Sequence, residues 1–202
     1  AHLIGHHGID PAEILAVTFT NKAAKEMKER LEILLVQKLS LKQFGQPWST
    51  LPPVEKRLLK NKIQQDTTKD LWIGTFHSLF SRLLRFDIDK FKDKDGLKWT
   101  RQFSIYDESD VMNLIKEIVT QDMGLDPKRF EPKKIRWAIS NAKNQGFMPS
   151  QLQENAEGHK EKLIAEVYNF YRKSLALNNA LDFDDLLLMP VKLLEQNEQV
   201  RI

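Results

Sequence analysis

Two short segments of the chain combine an aromatic ring with hydrogen-bonding side chains directly after an apolar run. They are Thr18–Lys22 (TFTNK) and Gly74–Ser78 (GTFHS), and we call them the strand-exit segments. Aromatic rings stack on bases of any sequence, which suits single-stranded nucleic acid, and hydroxyl, amide and imidazole groups can add hydrogen bonds. A single phenylalanine at a strand end is more often a core residue. The occurrence of both segments in one chain favours the binding interpretation.

The apolar runs that precede these segments have the pattern of parallel strands. Residues 14–19 (ILAVTF) and 71–76 (LWIGTF) are continuously apolar, as in strands buried on both faces of a sheet, and each leads at once into a helical pattern. Asn21 is the predicted N-cap of the first helix. Ligands bind open α/β sheets at the carboxyl ends of such strands. We therefore expect the two strand-exit segments to lie side by side.

Two buried parallel strands cannot form an independent sheet, because both faces and both edges need partners. Either a longer parent protein supplies further strands, which is the interpretation that we favour, or the two segments are not strands. The remaining sequence is predominantly helical, so the predicted fold class is mainly α with a small, incomplete α/β portion.

Four segments after residue 86 show the apolar spacing of helices. The first is capped by Asp107, and a short extended segment at 103–106 precedes it. The others are centred on residues 135–142, 164–175 and 183–194, and Pro190 should kink or divide the last one. Residues 37–70 are rich in Lys and Gln and contain three prolines. They are predicted to form a surface insertion with one short helix at 54–63.

Composition and charge limit the classes to which the chain can belong. It contains no cysteine, and no apolar run approaches the roughly 18 residues that a membrane-spanning helix needs, so cytoplasmic residence is the expectation. The net charge of +3 is too small to indicate nucleic acid by itself. Residues 126–148 hold six Lys or Arg against two acids. This stretch is either a solvated helix face or a phosphate-facing one.

Two clusters have side chains of the kinds that bind metals. Asp182, Asp184 and Asp185 could hold Mg²⁺ only with further converging ligands, and acids at the start of a helix are favourable by themselves. His2, His6 and His7 form a loose terminal cluster of the kind that is usually incidental. The sequence therefore predicts no metal site.

Several segments together resemble one protein family. ILAVTFTNKAAKEMKERL, beginning at Ile14, resembles motif Ia of the UvrD/Rep/PcrA-like superfamily 1 DNA helicases, and WIGTFHSLFSRLLR resembles the motif that follows it. FSIYDESD and LDFDDLLL are similar to the segments that enter and leave the helical 1B subdomain of that family. The resemblance extends from about Ile9 to the C-terminus. The polar connection between the first two motifs is longer than in the shortest members.

The resemblance implies a DNA-binding groove. The residues that match its contacts are Thr18, Phe19, Thr20, Asn21, Lys22, Thr75, Phe76, His77, Arg82 and Arg85. Phe19 and His77 would stack on bases. Arg82 and Arg85 would contact phosphates, although a solvated helix face explains them equally well. Arg30 matches an arginine that approaches the nucleotide site, so it is a predicted cofactor-binding residue.

The resemblance also implies a domain organisation. Residues 1–77 would be part of a RecA-like motor subdomain (1A) with a polar insertion at 37–70. Residues 78–195 would be a helical 1B-like subdomain inserted in the partial parallel sheet, and residues 196–202 would return toward 1A.

The parent protein would use ATP and Mg²⁺. The chain contains no GxxxxGK[ST] phosphate loop, and no acidic Walker B strand precedes its end. No catalytic residue is therefore predicted, and we expect the chain alone to be inactive as an ATPase, with no cofactor bound.

The implied activity is that of an ATP-dependent DNA helicase acting in repair or replication. Its partners would be single-stranded DNA, junctions of single and double strands, and the remaining helicase domains. Two alternatives stay open. One is a helicase-related subunit of a recombination nuclease complex, and the other is a non-catalytic helical module that binds protein.

Overall fold

The computed structural model describes residues 1–201, which form two compact units divided between Leu79 and Phe80. The chain is mainly helical, with two small parallel sheets of two strands each, so the predicted fold class is confirmed. Within the described residues, no helix combines the length and apolar character needed to cross a membrane. The assignment of residues 78–195 and 196–202 to a 1B-like subdomain and a return segment stays a prediction.

The first unit contains one of the two sheets and its helices. Its elements are α1 (His2–Gly5), β1 (Leu15–Thr18), α2 (Asn21–Phe44), α3 (Pro53–Ile63), β2 (Trp72–Thr75) and the start of α4 (Phe76–Asp87). Strands β1 and β2 pair in parallel. A small core joins α2 to α3 through Leu35, Val36 and Ile63.

The predicted polar insertion begins later than residue 37. Helix α2 continues to Phe44 and ends at Gly45, whose φ of 67° gives the left-handed conformation that glycine adopts at helix ends. Helix α3 then confirms the short helix expected at 54–63. The segment after α3 is anchored to α2, because the Thr68 hydroxyl donates to Glu32 Oε1 over 3.1 Å in a buried position.

Strands β1 and β2 are less buried than their apolar sequences predict. Leu15 is 65% exposed, and the other residues of β1 are half-buried. In β2 only Gly74 is buried. The described residues therefore do not cover these strands on both faces, and burial by further strands of a longer parent stays a prediction, whereas the predicted parallel pairing is right.

The N-cap of α2 is Thr20, and the predicted cap Asn21 is wrong. The Thr20 backbone is extended, and its Oγ1 accepts a hydrogen bond from the Ala23 amide over 3.1 Å. Asn21 is already the first helical residue. The side-chain oxygen of Thr20 thus satisfies one of the amides that a helix start leaves unpaired.

We expect Thr20→Ala to lower the free energy of unfolding by about 1 kcal/mol, because the Ala23 amide loses its partner. Asn21→Ala is the matched control, and it should change that free energy by only a few tenths of a kcal/mol. Urea denaturation followed by circular dichroism measures both. Equal effects of the two substitutions would contradict the assignment of the cap.

The second unit contains six further helices and the other sheet. Its elements after α4 are β3 (Ser104–Ile105), α5 (Glu108–Glu117), α6 (Pro132–Asn144), α7 (Pro149–Glu154), α8 (His159–Leu177), β4 (Ala180–Leu181), α9 (Asp185–Gln196) and α10 (Glu198–Arg201). The predicted capping by Asp107 is confirmed, since its carboxylate accepts from the amides of Ser109 and Asp110. Pro190 does not divide the last predicted helix, because α9 runs through it.

Two cores stabilise the second unit. Residues of α5, α6 and α8 form the larger one, around the fully buried rings of Tyr168 and Tyr171. The other gathers Leu84, Trp99 and Leu193 with residues of the β3–β4 region. Strand β4 and helix α7 were not predicted. Two-residue strands and a six-residue helix are too short to show a period.

Candidate nucleic-acid interface

The pairing of β1 with β2 brings the two strand-exit segments together. Thr18, the last residue of β1, is paired with Thr75, the last residue of β2. Neighbouring strands lie about 4.8 Å apart, and parallel strands exit at the same edge. Phe19 and Phe76 therefore follow directly from adjacent strand ends. The predicted side-by-side placement is confirmed.

The rings that follow the two strands face solvent to different degrees. Phe19 is 93% exposed, and Phe76 is 46% exposed. Among the described residues, Phe19 is therefore not part of a core. A solvent-exposed phenylalanine forgoes about 1.5 to 3 kcal/mol of burial free energy, so folding of the described residues does not explain its presence.

Local hydrogen bonds fix the backbone of both strand-exit segments. In the first, the Thr20 hydroxyl caps α2 as described above. In the second, Thr75 Oγ1 accepts from the Ser78 amide over 3.3 Å, and Ser78 Oγ donates to the Thr75 carbonyl over 2.9 Å. Both turns are thus held by their own side chains. Asn21 and Lys22 are exposed at the start of α2, and His77 is half-buried in the first turn of α4.

Gly74 is required where β2 turns into α4. A Cβ atom at this position would lie 2.4 Å from Ser78 Oγ and 3.2 Å from Leu79 Cδ2. The absence of a side chain therefore lets the first turn of α4 approach the strand closely. This close approach explains the order of residue types in GTFHS. Gly74 leaves room for Ser78, and Thr75 caps the helix by accepting from the Ser78 amide.

Arg82 and Arg85 belong to the second unit, where their guanidinium groups make local contacts. Arg85 donates to the carbonyl oxygens of Arg101 and Phe103 over 3.1 and 3.3 Å, and its Cζ lies 4.4 Å from the centre of the Phe103 ring. Arg82 lies over the ring of Phe86, 5.9 Å from its centre. Arg85 thus ties α4 to the segment before β3. Phosphate contacts by either arginine stay a prediction.

Arg30 lies beside an apolar cavity in the first unit. It forms an ion pair with Glu26 one turn earlier in α2, and both line a cavity of about 700 Å³. The other lining residues are Ala1, Leu3, Ile4, Ile14, Ala16, Ala23, Met27, Leu31, Leu34, Leu71 and Ile73. Most of this surface is hydrocarbon. A nucleotide contact by Arg30 stays a prediction.

The whole chain, residues 1–202, matches the family described as the UvrD/REP helicase N-terminal domain. The chain belongs to this family. The resemblance carried by TFTNKAAKEM and GTFHS is therefore confirmed.

Relatives of the UvrD/REP chain carry the name ATP-dependent DNA helicase PcrA. This chain is 38% identical over 200 residues to the PcrA protein of Bacillus subtilis and 34% identical over 200 residues to the PcrA protein of Staphylococcus aureus. Each comparison covers 99% of this chain and 22% of the relative. The Staphylococcus epidermidis protein is 35% identical over 196 residues. The chain thus spans about a fifth of the length of these relatives.

A buried charge cluster in the second unit of this UvrD/REP chain was not predicted from the sequence. Lys143 Nζ lies 2.8 Å from Asp182 Oδ2 and 2.7 Å from Asp185 Oδ1, and the Tyr171 hydroxyl donates to Asp182 over 2.7 Å. The side chain of Lys143 is completely buried. We call these four residues the Lys143 cluster. Two of the three aspartates considered as metal ligands therefore bind a lysine.

Burial and charge shift the pKa values of Lys143 and Asp182 so that both groups stay ionised. Burial favours the neutral form of Lys143, but Asp182 and Asp185 outweigh it and raise the Lys143 pKa. Burial acts to raise the pKa of Asp182, yet Lys143 and three hydrogen bonds bring it to about 2. The signal available in the sequence was a pair of acids three residues apart among apolar residues, Asp182 and Asp185 in LDFDDLLL, because buried acids need a cation.

Among residues 1–201, no group of three or more His, Asp or Glu side chains is arranged to hold a metal ion. Asp184 pairs with Arg136 over 2.8 Å. The rings of His2, His6 and His7 pack on one another, with centres 4.8 to 5.0 Å apart.

Proposed function

We propose that the chain supplies single-stranded DNA contacts to a parent ATP-dependent DNA helicase, which translocates on one strand and unwinds duplex in repair or replication. The observation that carries this proposal is the exposure of Phe19 beside Phe76 at paired strand ends. Family membership and the names of the PcrA relatives support the helicase activity of the parent. The parent acts in the cytoplasm with ATP and Mg²⁺, and the chain alone does not hydrolyse ATP.

The geometry of the strand-exit segments suits a grip on an unpaired strand. Phe19 offers a ring face to a base, and His77 adds a second ring one residue after Phe76. Asn21 and Lys22 stand exposed at the start of α2, where the helix carries a partial positive charge that favours phosphate. Stacking tolerates any base, so this arrangement reads no sequence. A motor that steps along DNA needs such a contact.

The test is the binding of the 202-residue chain to a labelled deoxythymidine oligonucleotide, followed by fluorescence anisotropy over a range of salt concentrations. We expect binding at low salt, and the logarithm of the affinity should fall with that of the salt concentration by about 0.7 for each phosphate neutralised. Absence of binding at low salt would overturn the proposal and favour a helical module that binds protein. Binding without salt dependence would equally contradict phosphate contacts.

A further inference from the structure

Helix α6 presents an exposed tryptophan on a polar face. Trp137 is 70% exposed, whereas Ile135, Ile139 and Ala142 of the same helix are buried. Lys133 and Asn141 lie four residues before and after Trp137, so the three side chains share one face. Both neighbours are exposed. We call Lys133, Trp137 and Asn141 the α6 face.

The α6 face costs stability in two independent ways. An exposed tryptophan forgoes the large free energy that burial of an indole ring supplies. The first turn of α6 also contains Lys133 and Lys134 and no acid, although the positive end of the helix dipole disfavours cations there; the N-cap residue Glu131 pairs with Lys134 and leaves Lys133 without an ion pair among the described residues. Local rules that are broken without compensation mark functional positions. The α6 face therefore calls for a ligand.

The ion pairs of the second unit decide which cations of residues 126–148 are available for a ligand. Lys143 is buried with its aspartates, and Arg136 pairs with Asp184 and Glu108. The four remaining cations are exposed, and all lie in or just before the first turn of α6: Lys128, Arg129, Lys133 and Lys134. Only Lys134 has an ion pair among the described residues, with Glu131. Of these cations, Lys133 lies one helical turn before Trp137 on the same face of α6.

We propose that the α6 face is a second contact surface for single-stranded nucleic acid, in addition to the strand-exit segments. Trp137 stacks on a base, Lys133 contacts a phosphate, and the Asn141 amide hydrogen-bonds to the base or the sugar. A ligand with aromatic faces and regularly spaced negative charges matches this combination. The inference rests on the proposed function, because it assigns a second part of the same strand to the chain.

An exposed phenylalanine on α8 provides a matched control. Phe170 is 43% exposed, but its helical neighbours Glu166 and Lys173 carry opposite charges. Lys160 provides a second control, since it is exposed and is the second residue of α8, as Lys133 is of α6. Each control thus resembles a residue of the α6 face in type and exposure but lies on another helix.

The experiment compares variants of the chain in binding a labelled deoxythymidine oligonucleotide. Trp137→Ala should weaken binding about tenfold, as expected for one lost stack, and Phe170→Ala should leave it unchanged. Lys133→Glu should weaken binding and reduce its salt dependence, whereas Lys160→Glu should have a smaller effect. The oligonucleotide should also quench the intrinsic fluorescence of the chain. Trp137→Phe should remove most of this quenching.

Phe19→Ala, measured in parallel, separates the two proposals. If Phe19→Ala weakens binding and Trp137→Ala does not, the inference about α6 is overturned and the proposed function stands. If only Trp137→Ala acts, the α6 face is supported and the role of the strand-exit segments is overturned. Absence of binding by the unmodified chain overturns both. Unchanged binding with loss of self-association in Trp137→Ala would show that the α6 face contacts protein instead.

Discussion

Replacing Lys143 by methionine is expected to destabilise the second unit by about 3 to 5 kcal/mol, because two carboxylates would remain buried without their cation. Asp182 and Asp185 contact the Lys143 ammonium at 2.8 and 2.7 Å, and the lysine side chain has no exposed surface. Methionine has a similar length, so the cavity left behind is small. The loss would therefore be electrostatic. Urea denaturation followed by circular dichroism measures it.

Lys133→Met is the matched control, because Lys133 is an exposed lysine on the same helix. It should change the free energy of unfolding by no more than about 0.5 kcal/mol. Combining Lys143→Met with Asp182→Asn and Asp185→Asn should restore much of the lost stability, since the uncompensated charges are then removed. A loss below about 1 kcal/mol for Lys143→Met, within the range of an exposed pair, would contradict the buried cluster.

Replacing Phe19 by alanine is expected to weaken single-strand binding by about 1 to 3 kcal/mol, the contribution of one base stack. Its effect on folding should be small, because the ring is 93% exposed and loses little packing. The same substitution in the full-length parent should reduce unwinding, since the strand would slip during each step. Anisotropy measures binding, and a strand-displacement assay measures unwinding.

Phe44→Ala is the matched control for Phe19→Ala. Phe44 is a partly exposed phenylalanine of the same unit, at the other end of α2. It should leave DNA affinity unchanged. Equal losses of affinity in both variants would indicate a general effect of surface aromatic residues. Reduced unwinding with unchanged affinity in Phe19→Ala would show that the ring does not stack on DNA.

The sequence predicted those parts of the fold that depend on a repeated pattern. The helices at α5, α6 and α8 were identified because apolar residues recur every three or four positions over more than two turns. The capping by Asp107 was predictable, since its carboxylate needs only local amides. The parallel pairing of β1 with β2 followed from two continuous apolar runs that each lead into a helix.

Features that depend on distant partners could not be predicted. Strand β4 has two residues and forms only because Ser104 and Ile105 lie beside it. Lys143 was counted in a basic stretch, because nothing in the sequence around it shows that Asp182, 39 residues later, lies against it. The cap at Thr20 was missed by one residue, since both Thr and Asn favour that position. Trp137 has a core-like residue type, and only the fold shows that it faces solvent.

Some features of the candidate site could likewise be predicted from the sequence, and others could not. Residue types and spacing identified both strand-exit segments, and the register of the sheet joined them. The exposure of Phe19 was expected only from the binding interpretation, because a single phenylalanine at a strand end is more often a core residue. The sequence did not show that Arg85 donates to two carbonyl oxygens of its own unit, because both acceptors lie more than 15 residues away; its phosphate contact stays a prediction.

The proposed function depends most directly on single-stranded DNA lying across the two strand-exit segments. Photo-cross-linking of the chain to an oligonucleotide that contains 5-iododeoxyuridine, followed by peptide mass spectrometry, tests this contact without any substitution. We predict cross-links within Thr18–Lys22 and Gly74–Ser78, principally at Phe19 and His77. Cross-links elsewhere, with none in either segment, would contradict the account.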